Sequence, residues 1–358
     1  MYDIARRAGV SRSTVSFILN ERETNVRISA QTKQRILEAA QELGYRPNAM
    51  ARVVATGHNP VLAFLSPFPM ESWALLLAGM SEAAEAEGHF IKIFTAHYLP
   101  GWKGIDLATI DRCIELRLSG VVAHSLNETA LNQVHQALAP YRIPMALLGN
   151  PFPLPWGISA HADYEKGCGL AAGHLHGLGH RRLAMVGGDR KQGVGRAFEE
   201  AFRGAVQSYG LALPSRYVQE SNWKAKYAER AAHALLQPTH GTPRPTAICC
   251  ISDEMAMVVM RTARRLGLRV PEDVSVVGWL NVRASECADP PLTTVAEPFE
   301  EMGRRIVQKL LARNAAHSAA QRAAGQKSDA APLDDSPSRE ALPMQLVVRE
   351  STAPPAVA

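Results

Sequence analysis

The sequence predicts an all-α helix-turn-helix head followed by an α/β core of parallel, doubly wound sheets in two lobes. Three observations lead there. The first sixty residues contain short amphipathic helical segments separated by cap and turn residues. From Val61 onward, short continuous apolar runs alternate with helical segments, as strands covered on both faces by crossover helices do. The charge is uneven: residues 1–60 hold nine Lys/Arg against five acids, which accounts for +4 of the formal net charge of +5. A basic head on a nearly neutral body suggests a polyanion-binding module joined to something else.

At 358 residues the chain exceeds one ordinary domain, and with 46% hydrophobic and 20% charged residues it can bury sizeable cores. That balance excludes a wholly disordered chain. The apolar stretches have strand length, short of a membrane span, and the opening Tyr2-Asp3-Ile4-Ala5-Arg6-Arg7 is a helix start rather than a signal peptide. A cytoplasmic protein without a membrane partner is expected. Five cysteines, Cys113, Cys168, Cys249, Cys250 and Cys287, lack metal-ligand spacing, and the adjacent Cys249-Cys250 pair inside an apolar run reads as small buried hydrophobes.

In the head, residues 3–8 are helix-compatible and Gly9 supplies the positive φ that ends a helix. Ser11 caps a second helix over 12–19, closed by Asn20. Ser29 caps a third, with Ile36, Ala40 and Leu43 as its apolar stripe. Two short helices joined by Gly-Val-Ser make the helix-turn-helix pattern. On the second helix Val15, Ile18 and Leu19 face inward, while Arg12, Ser13, Ser16 and Phe17 share the outer face. In a major groove those side chains would meet base edges and phosphates.

Ala5, Ala8-Gly9-Val10-Ser11, Thr14-Val15-Ser16, Leu19-Asn20 and Leu43-Gly44-Tyr45-Arg46-Pro47-Asn48 closely resemble the head of the LacI/GalR family of bacterial repressors. The resemblance implies DNA contacts from Arg12, Ser13, Thr14, Ser16, Phe17 and Asn20. It also implies a hinge over 47–60, contributing Asn48, Ala51 and Val54, that folds on operator DNA. In the family, paired hinge helices from a dimer enter the minor groove and wedge an apolar side chain, usually leucine, between base pairs. Val54 holds that position here. Phe17 stands where arginine is common, which removes guanine readout there. The loop 21–28 is a few residues longer than usual, and relatives carry a few residues before the Tyr2 position, so the start is expected to be late.

In the remainder, strands are expected at 61–65, 90–94, 120–123, 144–148, 183–186, 247–251 and 274–277, with a helix over 73–87 after the first. The resemblance continues through Gly179-His180-Arg181-Arg182-Leu183-Ala184, Asp253-Glu254-Met255-Ala256, Val270-Pro271-Glu272-Asp273-Val274-Ser275 and Asp289-Pro290-Pro291-Leu292-Thr293-Thr294. It implies a two-lobed, periplasmic-binding-protein-like core over 61–358 that binds a small effector between the lobes and dimerises. By analogy, lobe one spans about 61–158 and 286–314. Lobe two spans about 159–285 and 343–350, so the chain crosses near 159, 286 and 343. The segment 315–341, rich in Ala, Ser, Asp and Pro, reads as an exposed mobile insert.

Family members often bind polar effectors with an arginine, an asparagine and an aspartate. Carried over in order, these fall at Phe198 (with Arg196 nearby), Ser252 before Asp253, and Leu280. Asp163 matches an often polar position, and Trp73, Trp223 and Trp279 sit where aromatics commonly line the pocket. The candidate effector residues are therefore Trp73, Asp163, Arg196, Phe198, Trp223, Asp253, Trp279 and Leu280. They favour a ligand less polar than a simple hexose, or an effector-independent repressor.

Other chemistry is absent or only apparent. The glycine-rich run 187–195 satisfies neither G-x-G-x-x-G nor the P-loop pattern, so a plain strand-to-helix loop is favoured. His174, His176 and His180 lack the companions of a metal site. Ser252-Asp253 has no base–nucleophile motif beside it. The expectation is a sequence-specific DNA-binding regulator, most simply a repressor, with operator DNA, a small effector and a second copy as partners. No cofactor, metal or catalytic residue is expected. A solute-binding protein without DNA function, or an α/β enzyme, are the alternatives.

Overall fold

A computed structural model describes residues 1–19, 28–45, 59–67, 73–100, 103–149, 153–190, 193–237, 241–323 and 335–356. Asn20, the hinge candidates Asn48, Ala51 and Val54, and 324–334 of the expected insert lie outside these residues. Two compact units form: Met1–Pro60 with Leu116–Ser119, and Val61–Glu115 with Gly120–Ala358.

The head contains α1 (Tyr2–Ala8), α2 (Arg12–Leu19) and α3 (Ala30–Glu42). Gly9 ends α1 at φ 64, a conformation that costs a residue without Cβ little. Ser11 Oγ accepts the Thr14 N–H at 3.1 Å, and Ser29 Oγ accepts the Thr32 N–H at 3.2 Å, so both expected caps satisfy an otherwise orphan donor. Ile4, Ala5, Ala8, Val15, Ile36, Ala39 and Ala40 form the head's own small core. Leu43, read as the end of the α3 stripe, is instead the C-cap and exposed, because the helix stops one residue earlier.

From Asn59 the chain runs β1 (Asn59–Ser66), α4 (Trp73–Ala86), β2 (Phe90–Thr95), α5 (Ala108–Glu115), β3 (Leu118–His124), α6 (Glu128–Leu138), β4 (Met145–Leu148) and β5 (Ile158–Ala162). It continues with α7 (Tyr164–Gly177), β6 (Leu183–Gly187), α8 (Gly193–Ser208), β7 (Val218–Glu220), α9 (Ala225–Leu236), β8 (Ala247–Cys250), α10 (Asp253–Arg265) and β9 (Ser275–Leu280). β10 (Thr293–Ala296), α11 (Phe299–Ala323), β11 (Ser338–Leu342) and β12 (Gln345–Val347) complete it. The strands form two six-stranded sheets, β11-β5-β4-β3-β1-β2 and β12-β10-β9-β8-β6-β7. β12 runs antiparallel to β10, whereas β10 with β9, β9 with β8, and β8 with β6 are parallel. Such pairing buries the strands: β4, β5, β6 and β8 are buried at every residue. β2 differs, being a sheet edge with Phe90 and Ile93 exposed.

The expected lobe boundaries need two corrections. β5 pairs with β4 in the first sheet, so the first crossing falls after Ala162 rather than near 159. β10 pairs with β9 in the second sheet, so the return falls between Ala296 and Phe299 rather than near 286. The third crossing lies between Leu342 and Gln345. The insert expectation is also corrected at both ends. Residues 315–323 continue α11, and β11 adds to β5 in parallel with Leu342 buried. An ion pair from Lys309 Nζ to Glu340 Oε2 at 3.2 Å ties that strand to α11.

α4 and α11 pack through two glycines. A Cβ on Gly79 would lie 1.9 Å from the Glu300 carbonyl oxygen, and one on Gly303 would lie 2.2 Å from that of Leu76. The backbones approach that closely only because neither position carries a side chain.

Candidate functional site

In the head, the outer edge of α2 begins with Arg12 and Ser13, both exposed, while Thr14, Ser16 and Phe17 are half-buried. Ser11 Oγ lies 2.7 Å from Ser13 Oγ and 2.8 Å from Thr14 Oγ1, so these hydroxyls form one small network around the cap. The Arg12 guanidinium lies over the Tyr2 ring, 5.1 Å from its centroid, and its Nη1 donates to the Tyr2 hydroxyl at 3.3 Å. Nothing in the sequence marks Tyr2 as a partner of Arg12. Its spacing to Arg12 has no periodic meaning, since the two sit on different helices.

In the larger unit, candidate residues gather at the carboxyl ends of strands, where open parallel sheets place ligands. Trp73 opens α4 after β1, Asp163 follows β5, Trp223 follows β7, Asp253 follows β8 and Leu280 ends β9. Arg196 is exposed on the first turns of α8. Trp223 takes φ 58, is 37% exposed, and lies with its ring where a Cβ on Gly188 would come within 3.0 Å. Asp163 caps α7, accepting the Lys166 N–H at 2.9 Å. Leu280 is half-buried at φ 99, a left-handed conformation a leucine rarely adopts.

Three candidates are overturned as pocket lining. Phe198 is 0% exposed, with its ring stacked on Phe202 at 6.3 Å and edge-on to Trp279 at 4.9 Å. Trp279 is 1% exposed and belongs to the same aromatic cluster. A ligand cannot reach a side chain that its own core encloses. Asp253 is fully buried, and its carboxylate accepts the Val282 N–H at 2.8 Å and the Thr294 hydroxyl. Burial pushes that carboxyl up to about 6 against these hydrogen bonds, which favour the charged form. Gly278 leaves the room, since a Cβ there would sit 2.2 Å from Asp253 Oδ1. Asp253 thus braces the loop after β9.

The structure brings forward residues that the sequence reading missed. His124, at the end of β3, stacks on Phe64 at 5.8 Å with Nδ1 3.3 Å from Ser66 Oγ, and Trp73 meets the same Phe64 edge-on at 5.2 Å. Burial lowers His124 to about 4. His161 in β5 is also lowered to about 4, by burial and by the Arg339 charge, against the opposing pull of Asp163. Both imidazoles are neutral at physiological pH. A histidine at a strand end carries no motif, so only the neighbours' placement reveals it.

The apparent chemistry resolves into packing. A Cβ on Gly195 would lie 2.2 Å from the Asp189 carbonyl oxygen, so this glycine admits a close turn. His180 joins three segments, with Nδ1 2.9 Å from Thr246 Oγ1 and Nε2 2.9 Å from the Ala353 carbonyl. His174 meets Thr352 Oγ1 at 2.9 Å, and His176 stacks on Tyr209. Among the described residues no group of three or more His, Cys, Asp or Glu could hold a metal ion, and no helix is long and apolar enough to cross a membrane.

Comparison with known proteins agrees with this architecture. The family described as bacterial regulatory proteins, lacI family, matches residues 1–48, and the periplasmic binding protein-like domain matches residues 172–352. The HTH-type transcriptional regulator DegA of Bacillus subtilis (strain 168) is 28% identical over 357 residues, spanning 99% of this chain and 98% of that protein. The HTH-type transcriptional repressor PurR of Escherichia fergusonii is 29% identical over 324 residues, spanning 87% and 89%. Among solved structures, the Lac repressor dimer bound to operator and the anti-inducer ONPF aligns over 98% of each chain with TM-score 0.76 and 25% identity. The transcriptional regulator CelR–cellobiose complex aligns over 98% of each chain with TM-score 0.66 and 26% identity. With a capped three-helix head preceding two sheets joined by three crossings, the chain joins a head of the lacI family of bacterial regulatory proteins to a core that belongs to the periplasmic binding protein-like domain family.

Proposed function

We propose that this DNA-binding transcriptional regulator acts in the cytoplasm as a homodimeric repressor, reading its operator with Arg12 and Ser13 and responding to a small effector held between the lobes. The observation that carries the operator reading is the exposed Arg12–Ser13 edge at the start of a capped helix whose opposite face is sealed by Val15. A bidentate arginine is the commonest specific contact to guanine, and a helix edge of this kind fits a major groove. The proposed role involves no catalysis.

For the effector, the supporting residues are Trp73, Asp163, Arg196, Trp223 and Leu280, with His124 and His161 as neutral hydrogen-bonding neighbours. Leu280 replaces a carboxylate that would accept sugar hydroxyls, and hydroxyls left unpaired in a closed site cost affinity. A ligand with an aromatic or apolar face, able to lie against Trp223, fits this lining better than a simple hexose.

Genome-wide mapping of occupied sites would supply the operator and, through neighbouring genes, effector candidates. On that operator, Arg12→Ala should weaken specific binding by about 1–3 kcal/mol. Equal loss on unrelated duplexes, with a shallower salt dependence, would reduce Arg12 to a phosphate contact. Absence of any sequence preference in the wild type would sink the regulator reading.

A further inference from the structure

We infer that Tyr2 is a positioning residue for Arg12, setting how sharply the head discriminates bases rather than how tightly it binds DNA in general. The inference rests on the reading of Arg12 as the base-contacting residue and adds the element that holds it. Tyr2 is 69% exposed, so its ring contributes little to the head's core. Yet it makes two separate contacts with one guanidinium, a ring face at 5.1 Å and a hydroxyl accepting from Nη1 at 3.3 Å. Two contacts restrict the guanidinium more than a single hydrogen bond would.

The backbone beneath the pair is fixed. Ile4 of α1 and Val15 of α2 are both buried in the head core, and Gly9 and Ser11 set the turn between the helices. The guanidinium lies over the ring, and the hydroxyl occupies one of its five donors. The remaining donors stay in a planar fork, the form that matches the two acceptors on a guanine edge. An unheld arginine must lose its rotamer freedom on binding, whereas a held one has already lost much of it. An exposed cation–π contact of this kind corresponds to about a two- to fivefold effect.

The full chain is tested on an operator recovered by selection from random duplexes, with all four base pairs placed in turn at each operator position. Arg12→Ala identifies the position whose discrimination depends on Arg12. Tyr2→Ala should then cut discrimination at that position about two- to fivefold, leaving other positions and the salt dependence unchanged. Tyr2→Phe, which keeps the ring and loses the hydroxyl, should fall between. In the Arg12→Ala background, Tyr2→Ala should have no further effect.

Equal weakening by Tyr2→Ala on every duplex, or the same loss with and without Arg12, would overturn the inference and make Tyr2 an independent backbone contact. If Arg12→Ala leaves every base preference intact, the reading beneath the inference fails, and the inference with it. Melting temperatures of the Tyr2 variants should match the wild type. A fall of several degrees would instead assign Tyr2 to the fold.

Discussion

The Trp279 indole N–H donates to Glu297 Oε1 at 2.8 Å, joining β9 of the second sheet to the segment that leaves that sheet for α11. The other two crossings meet at the same indole. Tyr164, the first residue of α7 after the β5 crossing, stacks on Trp279 at 5.6 Å and hydrogen-bonds Glu297. Met344, between β11 and β12, reaches Gly167, where a Cβ would lie 2.5 Å from the Met344 sulfur and 2.7 Å from the Trp279 ring. All three connections between the sheets therefore converge on one buried side chain. Trp279 serves as the packing centre of these connections, which is why it is closed to a ligand.

Glu297 makes this centre sensitive to pH. Burial pushes its carboxyl from 4.5 up to about 7, against hydrogen bonds from Trp279 and Tyr164 that favour the charge. A raised carboxyl binds its proton more tightly folded than unfolded, so this group's contribution to stability is full below 4.5 and is lost as pH rises towards 7. Glu297→Gln keeps the shape and removes the charge. It should stabilise the core by roughly 2 kcal/mol at pH 8 and by almost nothing at pH 4.5. Denaturant titrations at both values check this, and an unchanged pH slope in the variant would refute it.

Phe198 tests pocket against core. Restoring the arginine that relatives often carry there, Phe198→Arg, places a charge inside an aromatic cluster and should prevent stable folding. Phe198→Ala should cost about 3–5 kcal/mol through the cavity it leaves. Native-like melting of Phe198→Arg would return this position to the pocket.

The helix pair α4–α11 gives a test with its own control. Gly303→Ala forces a Cβ against the Leu76 carbonyl and should destabilise by about 1–3 kcal/mol. Gly204, within α8, has nothing within 4 Å of a built Cβ, so Gly204→Ala should stabilise by about 0.5–1 kcal/mol. Thermal melts of the two variants should shift in opposite directions.

At Phe17 an arginine's donors are replaced by a ring that contacts only apolar edges such as a thymine methyl. The operator position it faces should prefer thymine, and Phe17→Arg should shift that preference to guanine. Binding of matched duplex series to both proteins decides this, and identical base preferences would remove Phe17 from the interface.

Ser11→Ala should cost about 1 kcal/mol of head stability by stranding the Thr14 N–H, and should loosen the hydroxyl network that includes Ser13. Amide exchange at Thr14 reports it directly. Unchanged protection there would mean that the cap does not hold the helix start.

What the sequence alone determined about this protein is what depends on near neighbours. Gly9, Ser11 and Ser29 each act on a backbone group within a few residues, and each does in the structure what its type requires. The apolar runs at β1, β6 and β8 are long and continuous enough to declare buried parallel strands. β5 and β11 carry no such run: Ile158-Ser159-Ala160-His161-Ala162 and Ser338-Arg339-Glu340-Ala341-Leu342 become strands because they pair with each other, and β5 with β4. Missing them misplaced the first crossing and turned a sheet edge into an insert. The site divided in the same way. Arg12 is visible from helix geometry, but its partner Tyr2 lies on another helix. Trp279, Phe198 and Asp253 stand at matching alignment positions, yet burial is a property of what surrounds a side chain on every side. Only the packing of segments distant in sequence decides that, and here it enclosed all three.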